Sequence, residues 1–166
     1  MAIKTIEDLF IHELSDIYSA EKQLTKALPR LARAASHPDL KAAFESHLEE
    51  TQGQVERIDQ IVELLDIKLK RIKCAAMEGL IEEGTELIEK VEKGLVLDAA
   101  LIGAGQKVEH YEIASYTTLV TLATKLGLLD AVKLLKESLA EEQATDEKLG
   151  VMAEAAAIEE AVETAI

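Results

Sequence analysis

Lys107–Val108–Glu109–His110–Tyr111–Glu112–Ile113–Ala114–Ser115–Tyr116 is the stretch on which the reading of this chain turns. Glu109 and Glu112 are three residues apart and Tyr116 follows four later, so an α-helix presents all three on one face. That face is also the helix's apolar seam. A buried ionised carboxylate is costly unless something positive compensates it, so carboxylates on a seam are informative.

Three other segments break their seams in the same way. In the first, Glu21 falls on the heptad step between Ile17 and Leu24. In the second, Glu50 lies three residues after His47 and four before Gln54. In the last, Glu142 lies three after Leu139, Asp146 lies four further on, and Leu149 continues the row. The two halves of the chain also resemble each other. With Glu21 set over Glu109 and Glu50 over Glu142, Gln54 falls over Asp146, Glu49 over Glu141 and Leu28 over Tyr116. The carboxylate spacing is 29 residues in the first half and 33 in the second (50 − 21 and 142 − 109). Two related helical hairpins would bring four glutamates together at mid-bundle. Such a cluster needs cations: protons, with pKa values raised by burial and mutual repulsion, or a pair of divalent metals. No basic residue lies on these seams near the carboxylates.

Around these segments the chain reads as helix almost throughout. Its 166 residues suit one core. Ala, Leu, Glu and Lys dominate, there are only two prolines, Pro29 and Pro38, and there is no Trp. Helices are expected over about 6–34, 38–65, 98–125 and 129–149, with short helices over about 74–91 and 151–163. Thr5 and Asp8 form a near capping box, Pro38 suits a first helical turn, Asp98 is an expected N-cap and Gly127 a C-terminal cap. Pro29 is expected to kink the first helix without ending it, and Gly150 to break the last. The connection from Asp66 to Leu97, about thirty residues, is too long for a plain loop. The small apolar run Ala99–Gly105 lets a neighbouring helix come close.

The formal net charge of −14 excludes nucleic acid and anionic lipid as natural partners. It suits solubility and the attraction of cations equally. One cysteine, Cys74, excludes an internal disulfide and a cysteine-built metal site. The longest apolar stretch, Leu95–Gly105, contains Asp98 and is too short to span a bilayer. No signal pattern opens the sequence, so the expected location is the cytoplasm.

At this point the sequence resembles the YciF family of bacterial stress-associated, ferritin-like proteins, and is close to the family's namesake. The resemblance covers nearly the whole chain. It rests on Asp16–Leu24, on His47–Thr51, on Lys107–Tyr116 and on Leu139–Asp146. It implies an all-α, ferritin-like (rubrerythrin-like) antiparallel four-helix bundle with a long crossover between its second and third helices, and a homodimer. The wider di-iron class uses a lone Glu on two helices and Glu-x-x-His on the other two. Carried over, Glu21, Glu50, Glu109 and Glu142 match the four glutamates, while Gly53 and Thr145 stand at the histidine positions. The nearest substitutes are Gln54 and Asp146, and Glu112 adds a second carboxylate to the third helix. The resemblance therefore implies two iron or manganese ions held by Glu21, Glu50, Glu109, Glu112, Glu142 and Asp146. His47, Gln54 and Tyr116 are the expected supporting residues around them.

Each assignment has a plainer counterpart. A seam-adjacent glutamate is usually exposed, a core histidine is more often hydrogen-bonded than ligating, and a core tyrosine usually just packs. Two functional readings follow. One is a di-iron or di-manganese oxidase or peroxidase acting on peroxide, dioxygen or ferrous iron. The other is a non-enzymatic homodimeric structural or interaction bundle with a degenerate metal site. The missing histidines favour the second and the glutamate quartet favours the first. No catalytic Ser/His/Asp set, phosphate-binding glycine loop or basic aromatic patch is present.

Overall fold

The computed structural model describes residues 2–163, with side chains through residue 155. The helices in chain order are α1 (Ile6–Ala34), α2 (Pro38–Leu64), α3 (Ala75–Lys90), α4 (Leu95–Lys125) and α5 (Leu129–Glu163). There is no strand among the described residues. α1 pairs with α2 and α4 with α5, and the two hairpins meet through α1–α4 and α2–α5 contacts. Those contacts run antiparallel. Asp16 meets Tyr111 while Ser36 meets Asp98, and Arg57 meets Ser138 while Glu50 meets Thr145. This is the expected all-α four-helix bundle, with α3 on the crossover packed against α1 and α4.

The ends of the helices follow local chemistry. Thr5 and Asp8 exchange side-chain-to-backbone hydrogen bonds of 3.0 and 3.2 Å, a full capping box. Pro38 opens α2, and His37 caps it by accepting from Asp39 N–H on Nδ1 at 3.1 Å. α1 runs on through Pro29 to Ala34, carried by an apolar seam that continues past it. Gly127, at φ 71°, ends α4 in the left-handed conformation that a glycine adopts without steric penalty.

The seams close on one core. Phe10, Leu14, Ile17, Leu24 and Leu28 of α1 face Leu40, Phe44, Ile58 and Ile61 of α2, with Leu101, Tyr116 and Leu119 of α4 and Leu135 and Leu149 of α5. Each buried Leu, Ile or Phe contributes about 1.5–3 kcal/mol. At Gly105 α4 lies tight against its neighbours. A Cβ there would stand 2.9 Å from Leu149 Cδ1 and 3.5 Å from Phe44 Cε1. The crossover begins at Asp66, which takes the left-handed conformation at φ 48°. It then runs beside α1. Lys70 N–H donates to Ser15 Oγ and Cys74 N–H to Ser19 Oγ, both at 2.9 Å.

Two expectations need correction. Asp98 does not cap α4, which starts three residues earlier with Gly94 as its N-cap. Asp98 instead accepts from Ser36 N–H at 2.7 Å and His37 N–H at 2.8 Å, satisfying free backbone donors in the α1–α2 turn. Nor does Gly150 break the last helix, because α5 is continuous through it. A helical glycine costs only about 1 kcal/mol. Buried Leu149 on one side and Met152 and Ala153 on the other pack against the core and outweigh that cost. Whether the last turns lie on the bundle or on a second subunit concerns side chains beyond residue 155, outside those described. Among the described residues, no helix is long and apolar enough to cross a membrane.

Candidate metal centre

α2, α4 and α5 converge on one buried cluster. His47, Glu109, Glu112 and Glu142 each present a ligand atom within 4.8 Å of the other three. His47 lies closest to Glu109, with Nε2 3.1 Å from Oε1, and is 3.9 Å from Glu142. Its Nδ1 is 3.5 Å from Glu50 Oε2. Neither nitrogen is aligned to make a hydrogen bond in this arrangement. Five carboxylate oxygens are likewise buried without a donor: Glu21 Oε2, Glu109 Oε2, both oxygens of Glu112, and Glu142 Oε2. Buried acceptors left in this state each cost about 1–3 kcal/mol, more when charged, so the cluster calls for a cation.

Glu21 and Glu50 flank the cluster differently. Glu21 is fully buried and accepts from the Tyr116 hydroxyl. Glu50 reaches toward the surface with its side chain 37% exposed, and accepts from Thr145 Oγ1 at 3.2 Å. Thr145 thus occupies one of the two positions where the di-iron class carries histidine. Fully buried Gln54 donates through Nε2 to Glu142 and to Glu141 Oε2, the latter at 3.0 Å. Asp146 is not brought into the cluster. It lies on the outer face of the α4–α5 pair, bonded to His110 Nε2 at 3.0 Å and Gln106 Nε2 at 3.4 Å.

Two participants go beyond what the sequence predicts. His47, expected among the supporting residues, stands inside the cluster. Its signal was the three-residue step to Glu50. Arg57 was not singled out at all, although it follows Gln54 by three residues and shares its face. It grips Glu141 with Nη1–Oε2 at 2.8 Å and Nη2–Oε1 at 2.5 Å.

The electrostatics follow from crowding and burial. Burial pushes the Glu21 carboxyl up to about 7, although the Tyr116 hydroxyl pulls the other way. Burial, then the neighbouring carboxylates, hold Glu112 well above the usual range. Burial and Glu109 do the same for Glu142. Burial opposes the charging of His47, but Glu109, Glu50 and Glu142 outweigh it and raise its pKa well above normal. Glu50 moves the opposite way, lowered chiefly by His47. Without metal, protons on the carboxyls and on His47 compensate the charge. The donor set of several carboxylates and one imidazole fits iron or manganese, and the unpartnered oxygens fit a cation in their midst. A void of about 10 Å³ beside His47 and Glu109 has room for about one water-sized molecule.

The geometry can be set beside known proteins. Residues 5–162 match the family model of a domain of unknown function, DUF892. Protein YciF of Escherichia coli (strain K12) is 67% identical over 150 residues, 90% of each chain. The crystal structure of the E. coli stress protein YciF matches with a TM-score of 0.90 at 65% identity, covering 93% of this chain and 98% of that one. The structure of YcfI from Rhodopseudomonas palustris matches with a TM-score of 0.85 at 48% identity, covering 89% and 94%.

Proposed function

This chain belongs to the YciF family of stress proteins, the family of the domain DUF892, and from that premise we propose that it is a di-metal carboxylate protein acting on a very small oxidant or on ferrous iron. The observation that carries the reading is the buried quartet of His47, Glu109, Glu112 and Glu142, with its oxygens lacking donors. These four would hold the metal pair, with Glu21 completing it from the Tyr116 side and Glu50 from the surface side. Bound iron or manganese would supply redox chemistry toward peroxide, dioxygen or ferrous ion. The chain's own residues do the rest. The Tyr116 hydroxyl fixes Glu21, Gln54 fixes Glu142, and Thr145 holds Glu50 at the opening. The apolar core around the cluster excludes bulk water. The small void beside His47 favours a diatomic- or peroxide-sized substrate over an organic one.

The competing reading, a non-enzymatic homodimeric bundle with a degenerate site, draws on the outward turn of Asp146 and the absence of imidazoles at 53 and 145. One experiment separates the two. The protein is loaded anaerobically with ferrous iron or manganese, freed of unbound ions, and its metal counted beside a Glu112→Gln/Glu142→Gln variant. About two metals per chain, lost in a variant that stays helical, is the expected result. A folded wild type that retains none would sink the metal reading and move the search to protein partners.

A further inference from the structure

We infer that Arg57, acting through Glu141 and Gln54, is a positioning residue that sets how Glu142 is presented to the cluster. The inference rests on the metal reading proposed above, and it adds Arg57 and Glu141, which that reading does not use. Arg57 lies on α2 with its side chain only 20% exposed. Besides its two bonds to Glu141, it donates to Ser138 Oγ at 3.3 Å and has Nε 3.4 Å from Glu137. The fork thereby holds Glu141 beside Gln54. Its Oε2 takes one N–H of Gln54 at 3.0 Å, and the same amide nitrogen donates to Glu142.

The physical point is the orientation of the Gln54 amide. That side chain is fully buried, and its two ends differ only in being donor or acceptor. Turned over, it would press Oε1 against the Glu141 oxygen that the arginine fork holds in place. The charge of Glu141, anchored by the arginine fork, is what keeps the N–H end toward Glu142. With that oxygen of Glu142 taken by an amide, Oε2 is the one left without a donor. A lysine at 57 could neutralise Glu141 but could not grip both its oxygens in a plane. The matched position of the other hairpin does not share the arrangement. The matched residue in the first hairpin, Glu49, is exposed and makes no side-chain hydrogen bond or ion pair among the described residues.

The test follows Arg57→Ala, Arg57→Lys and Glu141→Gln by two readouts. The first is the affinity for Mn²⁺, with the visible spectrum of the Co²⁺-loaded protein. The second is the Gln54 side-chain amide resonance in the metal-free protein, assigned by its loss in Gln54→Leu. Arg57→Ala and Glu141→Gln are expected to bind Mn²⁺ about tenfold more weakly, the lower end of what loss of a residue supporting a metal ligand costs. They should also alter the Co²⁺ spectrum and move the amide resonance. Arg57→Lys should fall between them and wild type, and added guanidinium should restore Arg57→Ala. A purely structural salt bridge would lower thermal stability while leaving affinity, spectrum and resonance unchanged, and that result overturns the inference. A wild type that binds no Mn²⁺ refutes the metal reading instead. The amide resonance then decides alone: movement in Arg57→Ala upholds the positioning role, and an unchanged resonance ends it.

Discussion

Glu50 and Glu142 stand at matched positions in two related hairpins, yet they live in different surroundings. Glu142 is fully buried, bonded by Gln54, and its carboxyl is pushed up by burial and by Glu109. Glu50 is over a third exposed, bonded by Thr145, and pulled down by His47. The next residues in each row diverge as well. Gln54 and Asp146 each follow their glutamate by four positions, about 40° further round the helix. Gln54 turns inward and is fully buried, whereas Asp146 turns outward to His110 with its side chain 23% exposed. The shared spacing supplies equal positions. The neighbours bury Glu142 and Gln54 within the cluster and leave Glu50 and Asp146 partly exposed.

The sharpest way to break this comparison is to neutralise each glutamate in turn. Glu142→Gln should weaken Mn²⁺ binding by about 100-fold or more, against about tenfold for Glu50→Gln, measured by competition with a chelator. Equal losses would mean that burial does not distinguish the two. The pH dependence of the metal-free protein comes next. Glu21 has a folded-state pKa of about 7 against about 4.5 unfolded. Between those values the unfolded chain has lost a proton that the folded chain keeps, so stability falls as pH rises, by on the order of 3 kcal/mol across the window. His47, raised well above its usual value, continues the fall above its unfolded pKa of about 6.5. Glu50, being lowered, contributes stability that is present above its unfolded pKa and lost as pH falls, the opposite sign. Melting temperatures from pH 5 to 8 should therefore decline in wild type and decline less steeply in Glu21→Gln, where Glu112, Glu142 and His47, all raised, still carry the fall, whereas Glu50→Gln should not lessen it.

Smaller effects refine the picture. Tyr116→Phe strands the second oxygen of Glu21 and should cost about 1–3 kcal/mol in denaturant unfolding. Asp146→Asn should change stability by about 1 kcal/mol or less and leave metal affinity unaltered, because its partner His110 is largely exposed. A large loss of metal in that variant would return Asp146 to the cluster.

Much of this was legible in the residues. The three-and-four spacing of Phe10, Leu14 and Ile17, the Thr5–Asp8 box, Pro38 and Gly127 are local signals, and local chemistry acts on them wherever the chain goes. The carboxylates at 21, 109, 112 and 142 were visible because each interrupted a row of apolar residues. Less was legible where a residue's role depends on another segment. Asp98 looks like a helix cap from its own neighbours, but the free amides of the α1–α2 turn reach it first. Gly150 looks like a break, yet the packing of Leu149 and Met152 carries the helix through. Arg57 is an ordinary surface cation until Glu141 of α5 lies against it.

By itself, then, the sequence determined the helices, their buried faces, the matched spacing of the two hairpins, and the presence of more carboxylate than an apolar core can hold charged without compensation. It did so because helical periodicity converts spacing into angle with no reference to the rest of the chain. Only the tertiary structure decided that His47 enters the cluster, that Asp146 leaves it, and that Arg57 reaches it through two other side chains. An angle around one helix does not say what stands opposite, and burial, charge and hydrogen bonding are properties of both sides of a contact.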